Sequence, residues 1–410
     1  MFRCLALLAL IIASPAAAQN RTEVEAQFRS WLDTTIWPRA EADGVARATF
    51  EAAFDGVTLN WDLPDLVPPG TTPPERRVQT QSEFRSPARY FRPNTVDPTA
   101  RIGRDYAARY ATELAQTEAA TGVPGHIILA IWGRESGYGQ VSIPYNTFRV
   151  LGTKGFMSTR AEYFTEELIA ALRIVEAGHI GPDQMRSSWA GAMGQPQFVP
   201  RSFEYYARDG DGDGRADIWN SEADTIRSVG NFLGLNGWDP ARDWGFEVTV
   251  PASLSCTLAG RDQGRTIADW EGMGITRANG RPFPAAEQQG EAFLLMPAGR
   301  NGPAFLVTPN FYIIKTYNNS DLYALFVGHV GDRIAYNVPA FRAGWQPVDS
   351  LLRSDIAALQ RGLEAQGLDV GGADGLAGFK TRRAIGLWQE AQGLPPTCFP
   401  SRAVVTALGG

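Results

Sequence analysis

The chain is poor in lysine, histidine and cysteine. Of 38 basic residues only Lys154, Lys315 and Lys380 are lysines, and the formal charge is −6. A mildly acidic chain with no basic run lacks the electrostatic footprint of a nucleic-acid binder, so that partner is excluded. His126, His179 and His329 are scattered, and no His/Cys cluster has ligand spacing, which excludes a zinc or haem site. Nothing calls for an organic cofactor. Beyond the N-terminus no stretch is long and apolar enough to span a bilayer. Of the three cysteines, Cys4 falls in the leader described next, which leaves Cys256 and Cys398. In an oxidising compartment these two can form a disulfide between a late part of the main domain and the C-terminal module. Two free thiols are the alternative, and the sequence leaves both open.

The compartment is written in the first residues. Arg3 is a short positive region, Leu5 to Ala13 an apolar core, and Ala16-Ala17-Ala18 a small-residue cleavage site. This pattern predicts a secretory signal peptide over residues 1–18, cleaved near Ala18, and an exported soluble protein. Cys4 precedes the apolar core, so a lipoprotein cleavage box is not formed.

Hydrophobic spacing predicts helices over 22–60, with Phe28, Trp31 and Leu32 on one face, over 101–121, and over Ala161 to Val175. Residues 64–78 are Pro-rich and read as a surface loop. Between 246 and 310 shorter segments, Phe246 to Val250 and Phe293 to Met296, predict a few strands. A linker over 336–348 separates a main region, 19–335, from a small module, 349–410.

Four constellations carry chemistry. The apolar run His126 to Trp132 ends in Gly133-Arg134-Glu135-Ser136-Gly137-Tyr138-Gly139. A carboxylate delivered by a buried helix to a Gly-rich aromatic turn loses solvent, its pKa rises, and it becomes a general acid. The alternative is a surface Glu135, paired with Arg134 or solvated. The second is Ser187-Ser188-Trp189-Ala190 to Pro200, whose small residues at 190–194 admit a ligand close to the backbone. In it Trp189 and Phe198 are able to stack on sugars, and Ser188 and Gln197 to bond their hydroxyls. A tight core turn is the alternative. The third, Asp209-Gly210-Asp211-Gly212-Asp213-Gly214-Arg215-Ala216-Asp217, places carboxylates at positions 1, 3, 5 and 9 of an EF-hand-like loop, with Gly at 6 and Arg215 at 7. Position 12 is Asn220 rather than Glu, and Asp224 is a later candidate ligand. A structural calcium ion fits this donor set. The fourth is Asn310 to Ala324, where Tyr317, Asn318 and Tyr323 open an apolar helix with groups suited to carbohydrate. An ordinary capped helix start is its alternative.

With these motifs in place, residues 22–335 resemble the B-type family of membrane-associated lytic murein transglycosylases. The resemblance is carried by Trp132 to Ser136, Arg160-Ala161-Glu162-Tyr163-Phe164, Ala190 to Phe198, Asp209 to Trp219, and Tyr317-Asn318-Asn319-Ser320. It implies a mainly α (α+β) fold: a lysozyme-like helical catalytic domain with a small strand-containing sub-region. It implies that Glu135 is the sole catalytic acid and base, that Ser188, Gln197, Phe198, Tyr317, Asn318 and Tyr323 line the cleft, and that the Asp-rich loop binds calcium. The substrate implied is the MurNAc–GlcNAc β-1,4 bond of peptidoglycan glycan strands, opened in the periplasm to 1,6-anhydromuramoyl products. Where the family carries an Ala-Leu-Ala-Thr-Leu-type helix, this chain reads Val150-Leu151-Gly152-Thr153-Lys154-Gly155-Phe156. Gly152 and Gly155 are expected to weaken that helix and Lys154 to charge it. The family name suggests a lipid anchor, whose signal is missing here.

Residues 349–410 resemble a three-helix peptidoglycan-binding domain through Ile356 to Leu363, Ala373-Asp374-Gly375-Leu376 and Thr381 to Gln389. Two rival readings stay open: a lysozyme-like hydrolase with Glu162 or Glu167 as second carboxylate, and a non-catalytic peptidoglycan-binding scaffold. Protein partners are not legible.

Overall fold

The computed structural model describes residues 20–73 and 87–409. The predicted signal peptide and the last part of the Pro-rich loop lie outside them. The main region opens with helices Arg21–Trp31, Trp37–Ala42 and Arg47–Phe54, the first two joined by a wider π-type turn at Leu32–Ile36. Phe28 and Leu32 share a buried face, as their spacing predicted. The helix expected over 101–121 is two: Pro93–Arg109 and Ala111–Thr121, broken at Tyr110. Its C-terminal stop is Gly122, at φ +73°, where a left-handed residue ends the helix at little steric cost.

The strand-containing sub-region is a five-stranded antiparallel sheet. Its order is Arg265–Thr266, Glu291–Leu295, Ala304–Val307, Gly245–Thr249, Thr276–Arg277. Side chains alternate between two cores. Phe293, Leu295, Phe305 and Val307 face the helical core, while Leu294, Leu306, Phe246 and Val248 face a second core around Trp270. Burial on both faces explains why Phe293 to Met296 reads as a continuous apolar run.

The C-terminal module has its own core, from helices Arg353–Glu364, Phe379–Ala391 and Arg402–Ala407. Buried Gln360 organises it. Its amide donates to Asp374 Oδ1, Leu376 O and Thr381 Oγ1 at 3.1–3.2 Å, and its Oε1 accepts from Gly375 N at 2.7 Å. The module is fastened to the main region. Cys256 and Cys398 form a disulfide across 142 residues of chain. Arg383 pairs with Asp262, and Arg382 Nη2 lies 3.1 Å from Asp321 Oδ2. The seam between the two encloses only about 30 Å³ of free space.

The expected weakening at 150–156 does not occur, because a helix runs unbroken from Thr147 to Met157. Its glycines serve close packing. A Cβ on Gly152 would meet Phe28 at 3.2 Å, and one on Gly155 would meet Trp31 at 3.1 Å. Lys154 is fully buried with no hydrogen-bond partner for Nζ. The ammonium sits 4.6 Å from the Trp189 ring centre and 4.8 Å from that of Phe164. Two ring faces offset part of the lost hydration but supply no acceptor. Burial pushes the Lys154 amine below its ordinary value, so the unfolded chain binds more protons and stability rises with pH. Lys154→Met is therefore expected to stabilise the fold by about 1–2 kcal/mol at pH 7. Thermal unfolding should show that gain shrinking as pH rises through the lowered folded value and gone above about 10, where the unfolded lysine also loses its charge.

Candidate functional site

Glu135 is placed by helix Gly125–Ser136, whose residues from Ile127 to Gly133 are all buried. The helix stops at Gly137, φ +58°, with Gly137 N donating to Gly133 O and Tyr138 N to Trp132 O. Tyr138 follows in the left-handed region at φ +61°, where a bulky side chain is strained. The strain is held by packing. The Tyr138 ring lies against Gly133, where any Cβ would strike it at 2.6 Å, and Tyr138 Oη donates to Thr99 O at 2.8 Å. The turn that presents Glu135 is thus over-determined from both sides.

Glu135 itself is half-buried. Tyr323 Oη donates to Glu135 Oε1 at 2.5 Å. Burial raises the carboxyl's pKa, while the Tyr323 hydrogen bond and the charge of Arg134 act in the opposite direction without cancelling it. The surface ion pair with Arg134 is not formed. The guanidinium lies instead over Tyr90 and Phe326, 5.2 Å from each ring centre. A carboxyl with a raised pKa and a neutral hydrogen-bond donor can hold a proton for delivery.

Tyr323 comes from helix Asp321–Tyr336, whose N-cap Ser320 accepts from Tyr323 N. The Tyr317 ring stacks on Tyr323 at 6.4 Å and 11°, and its hydroxyl donates to Pro196 O at 2.6 Å. That bond ties the fourth constellation to the second. Gln197 sits in the turn at φ +54°, with Nε2 bonded to Gly194 O. Ser188 Oγ accepts from Ala190 N and Ala192 N, which leaves its hydroxyl proton available. Asn318 is exposed beside Tyr317, just past the end of its helix. Phe198 requires correction as a stacking surface. It is 3 % exposed and packs on Phe232, Tyr206 and Tyr317, so it backs the cleft wall from within. Trp189, 46 % exposed, is the aromatic that keeps a free face.

Sequence reasoning overlooked Gln195. Its Oε1 accepts from Trp132 Nε1 at 2.9 Å and its Nε2 donates to Trp219 O, which locks the helix bearing Glu135 to the Asp-rich loop. A single amide that accepts from one buried indole and donates to a distant backbone carbonyl leaves no spacing signal.

In that loop Asp209, Asp211 and Asp213 bring carboxylate oxygens within 4.8 Å of one another. Asp209 also accepts from Gly212 N and Gly214 N, which curls the backbone around it. Exposed oxygens gathered at one point suit a hard divalent cation, and Arg215 follows at the position whose carbonyl would complete such a set. Asp224 is different. It is fully buried and accepts from Gly210 N at 2.7 Å and Asp217 N at 2.6 Å. It braces the loop from below and stands outside the carboxylate cluster.

The carboxylates considered as second acids are both committed. Glu162 pairs with Arg39 at 3.0 Å, and Glu167, almost fully buried, pairs with Arg201 at 2.9 Å. The state of Glu135 then rests on Tyr323. Tyr323→Phe should raise the Glu135 pKa further, because it removes a bond that favours the charged form. A 13C NMR titration of the carboxyl should show its midpoint moving to higher pH.

The Transglycosylase SLT domain family matches residues 27–332, and the peptidoglycan binding domain family matches 353–408. Membrane-bound lytic murein transglycosylase B of Escherichia coli is 33% identical over 217 residues, 52% of this chain and 58% of that protein, so the match spans little over half of its length. Crystal structures of SltB3 from Pseudomonas aeruginosa are similar over 93% of this chain and 99% of theirs. In complex with NAG-NAM-pentapeptide the identity is 38% and the TM-score 0.82; in complex with NAG-anhNAM-pentapeptide they are 36% and 0.81. The Escherichia coli transglycosylase Slt35 in complex with calcium is similar at TM-score 0.52 and 29% identity over 63% of this chain and 80% of its own. With its helical core, its glutamate-bearing helix and a family match reaching from the first helices to the end of Asp321–Tyr336, this chain belongs to the SLT-domain transglycosylases.

Proposed function

We propose that this chain is a lytic transglycosylase that opens the MurNAc–GlcNAc β-1,4 bond of peptidoglycan without water, giving 1,6-anhydromuramoyl products. The observation that carries the reading is a single half-buried carboxyl, Glu135, whose hydrogen-bond partner is a tyrosine rather than a cation. Hydrolysing glycosidases work with two carboxylates flanking the bond. Here the two alternatives, Glu162 and Glu167, are neutralised by arginines. One acid suffices when the nucleophile belongs to the substrate.

Protonated Glu135 gives its proton to the bridging oxygen as the C1–O bond breaks. The acetamido group of the muramic acid residue stabilises the cationic carbon. The carboxylate, still bonded to Tyr323, then accepts the proton of the C6 hydroxyl as that oxygen bonds to C1. The proton count closes and no water enters. Intramolecular attack supplies an effective molarity that a free water lacks. Ser188, Gln197, Tyr317 and Asn318 orient the sugar, and the crystal complexes of SltB3 with NAG-NAM- and NAG-anhNAM-pentapeptides support this substrate class. Among the described residues no helix is long and apolar enough to cross a membrane, and we place the protein in the periplasm on the strength of its leader and its relatives. Digests of sacculi should contain products ending in 1,6-anhydromuramic acid by mass spectrometry, absent with Glu135→Gln. Products heavier by one water would replace this reading with a hydrolase.

Calcium, where it binds, supplies charge neutralisation to Asp209, Asp211 and Asp213 and fixes the chain between helices Pro200–Tyr206 and Glu222–Leu235. Its role is structural, since the loop contributes no group to Glu135. Calcium at a hundredfold excess over Kd should stabilise the fold by about 2.7 kcal/mol. Calorimetry with calcium and with a chelator reads this, and Asp211→Ala should abolish the difference.

A further inference from the structure

Asp321 opens the helix Asp321–Tyr336, two residues ahead of Tyr323. Its two oxygens serve two different partners. Oδ1 accepts from Lys315 Nζ at 2.6 Å, and Oδ2 accepts from Arg382 Nη2 at 3.1 Å. Lys315 belongs to helix Pro309–Tyr317, which also carries the ring stacked on Tyr323. Arg382 belongs to the C-terminal module, and its other arm, Nη1, donates to Ala377 O of that module at 3.0 Å. One carboxylate therefore gathers the helix of Tyr317, the helix of Tyr323 and the accessory module.

Arg382 is 8 % exposed, and the seam around it encloses about 30 Å³, room for a water but not for a sugar. Its guanidinium therefore has no access to the glycan. A buried ion pair recovers little beyond its own desolvation, so what this one supplies is geometry. The geometry is that of the first helical turn. Ser320 Oγ accepts from Tyr323 N at 3.2 Å, and the hydroxyl of the same tyrosine donates to Glu135 Oε1 at 2.5 Å. Asp321 and Tyr323 share that turn, so a shift of one carries the other. The strength of the bond to Glu135 falls off with small changes of distance and angle.

We propose that Arg382 is a positioning residue: by holding Asp321 it seats Tyr323 against Glu135, so that docking of the C-terminal module sets the acid. The inference rests on the transglycosylase reading of Glu135. The ionisable groups that act on Glu135 are Arg134, Tyr317 and Tyr323, and Arg382 is not among them. Its influence on the carboxyl passes through Tyr323. With Arg382 removed, the Tyr323 bond slackens, the carboxylate loses part of a donor, and its pKa rises. The loss falls on chemistry rather than on binding, so kcat drops and KM holds.

The test is a 13C NMR titration of the Glu135 carboxyl in the full chain, beside kinetics on soluble glycan strands. Arg382→Gln leaves Lys315 on Asp321, so the buried carboxylate keeps a partner. It should move the Glu135 midpoint to higher pH and lower kcat about tenfold at unchanged KM. Arg382→Lys, the milder change, should move both in the same direction by less, and it serves if Arg382→Gln does not fold. Arg383→Gln breaks the Arg383–Asp262 pair in the same seam and should change neither. In a Tyr323→Phe background Arg382→Gln should move the midpoint no further, because the route it uses is gone. No change with Arg382→Gln, an equal change with Arg383→Gln, or a midpoint shift that persists in Tyr323→Phe would overturn the proposal. Lack of turnover by the unaltered protein would instead refute the transglycosylase reading, and the titrations alone would then decide the role of Arg382.

Discussion

The site depends on keeping one carboxyl short of both water and cations. Burying a charge without a partner costs several kcal/mol, whereas a well-formed ion pair would return much of that and fix the group as an anion. Glu135 is held between these limits. The helix that carries it is apolar along almost its whole length, and the adjacent arginine is drawn away over two aromatic rings. Tyr323 supplies a hydrogen bond without supplying a charge. Had Arg134 turned toward Glu135, Coulomb attraction would have held the carboxyl ionised and the proton donor would be lost. In the proposed chemistry the placement of Arg134 over Tyr90 and Phe326 therefore matters as much as Glu135 itself.

Much of this was legible in the sequence, and the exceptions have physical causes. The helix bearing Glu135 and its stop were visible because an apolar run ending in glycines has few other solutions. The acidic loop was visible because its ligand spacing is written in adjacent residues. What spacing cannot carry is the direction of a side chain at a turn. Phe198 reads as a stacking aromatic, yet the left-handed residue before it sends the ring inward against Phe232. Asp224 reads as a ligand, yet both its oxygens meet loop amides. At 150–156, composition argued for a weak helix. Tertiary packing reversed this, since the glycines admit Phe28 and Trp31 where larger residues would clash. The Cys256–Cys398 bond was one of two alternatives in the sequence, and the choice between them depends on how two modules meet.

The two halves of the cleft are joined by few bonds of high leverage. Tyr317 Oη on Pro196 O couples the wall to the small-residue turn, and Gln195 couples the helix bearing Glu135 to the Asp-rich loop. Asp321, at the head of the helix bearing Tyr323, is tied on both sides. Burial alone would favour its neutral form, but Arg382 of the C-terminal module and Lys315 outweigh that and hold it below the ordinary carboxylate range. Through that residue the accessory module reaches the helix that presents Tyr323 to Glu135.

The seam between the modules turns a matter of attachment into one of measurement. An accessory domain on a slack tether raises the local concentration of its ligand over a broad range of distances. A domain clamped by a disulfide, by Arg382–Asp321 and by Arg383–Asp262 has no such range. On the proposed function, two binding modules fastened in this way favour a partner whose own spacing fits, in the manner of a gauge block. The distance from Glu135 to the C-terminal module is then a property of the fold, set when the cysteines join.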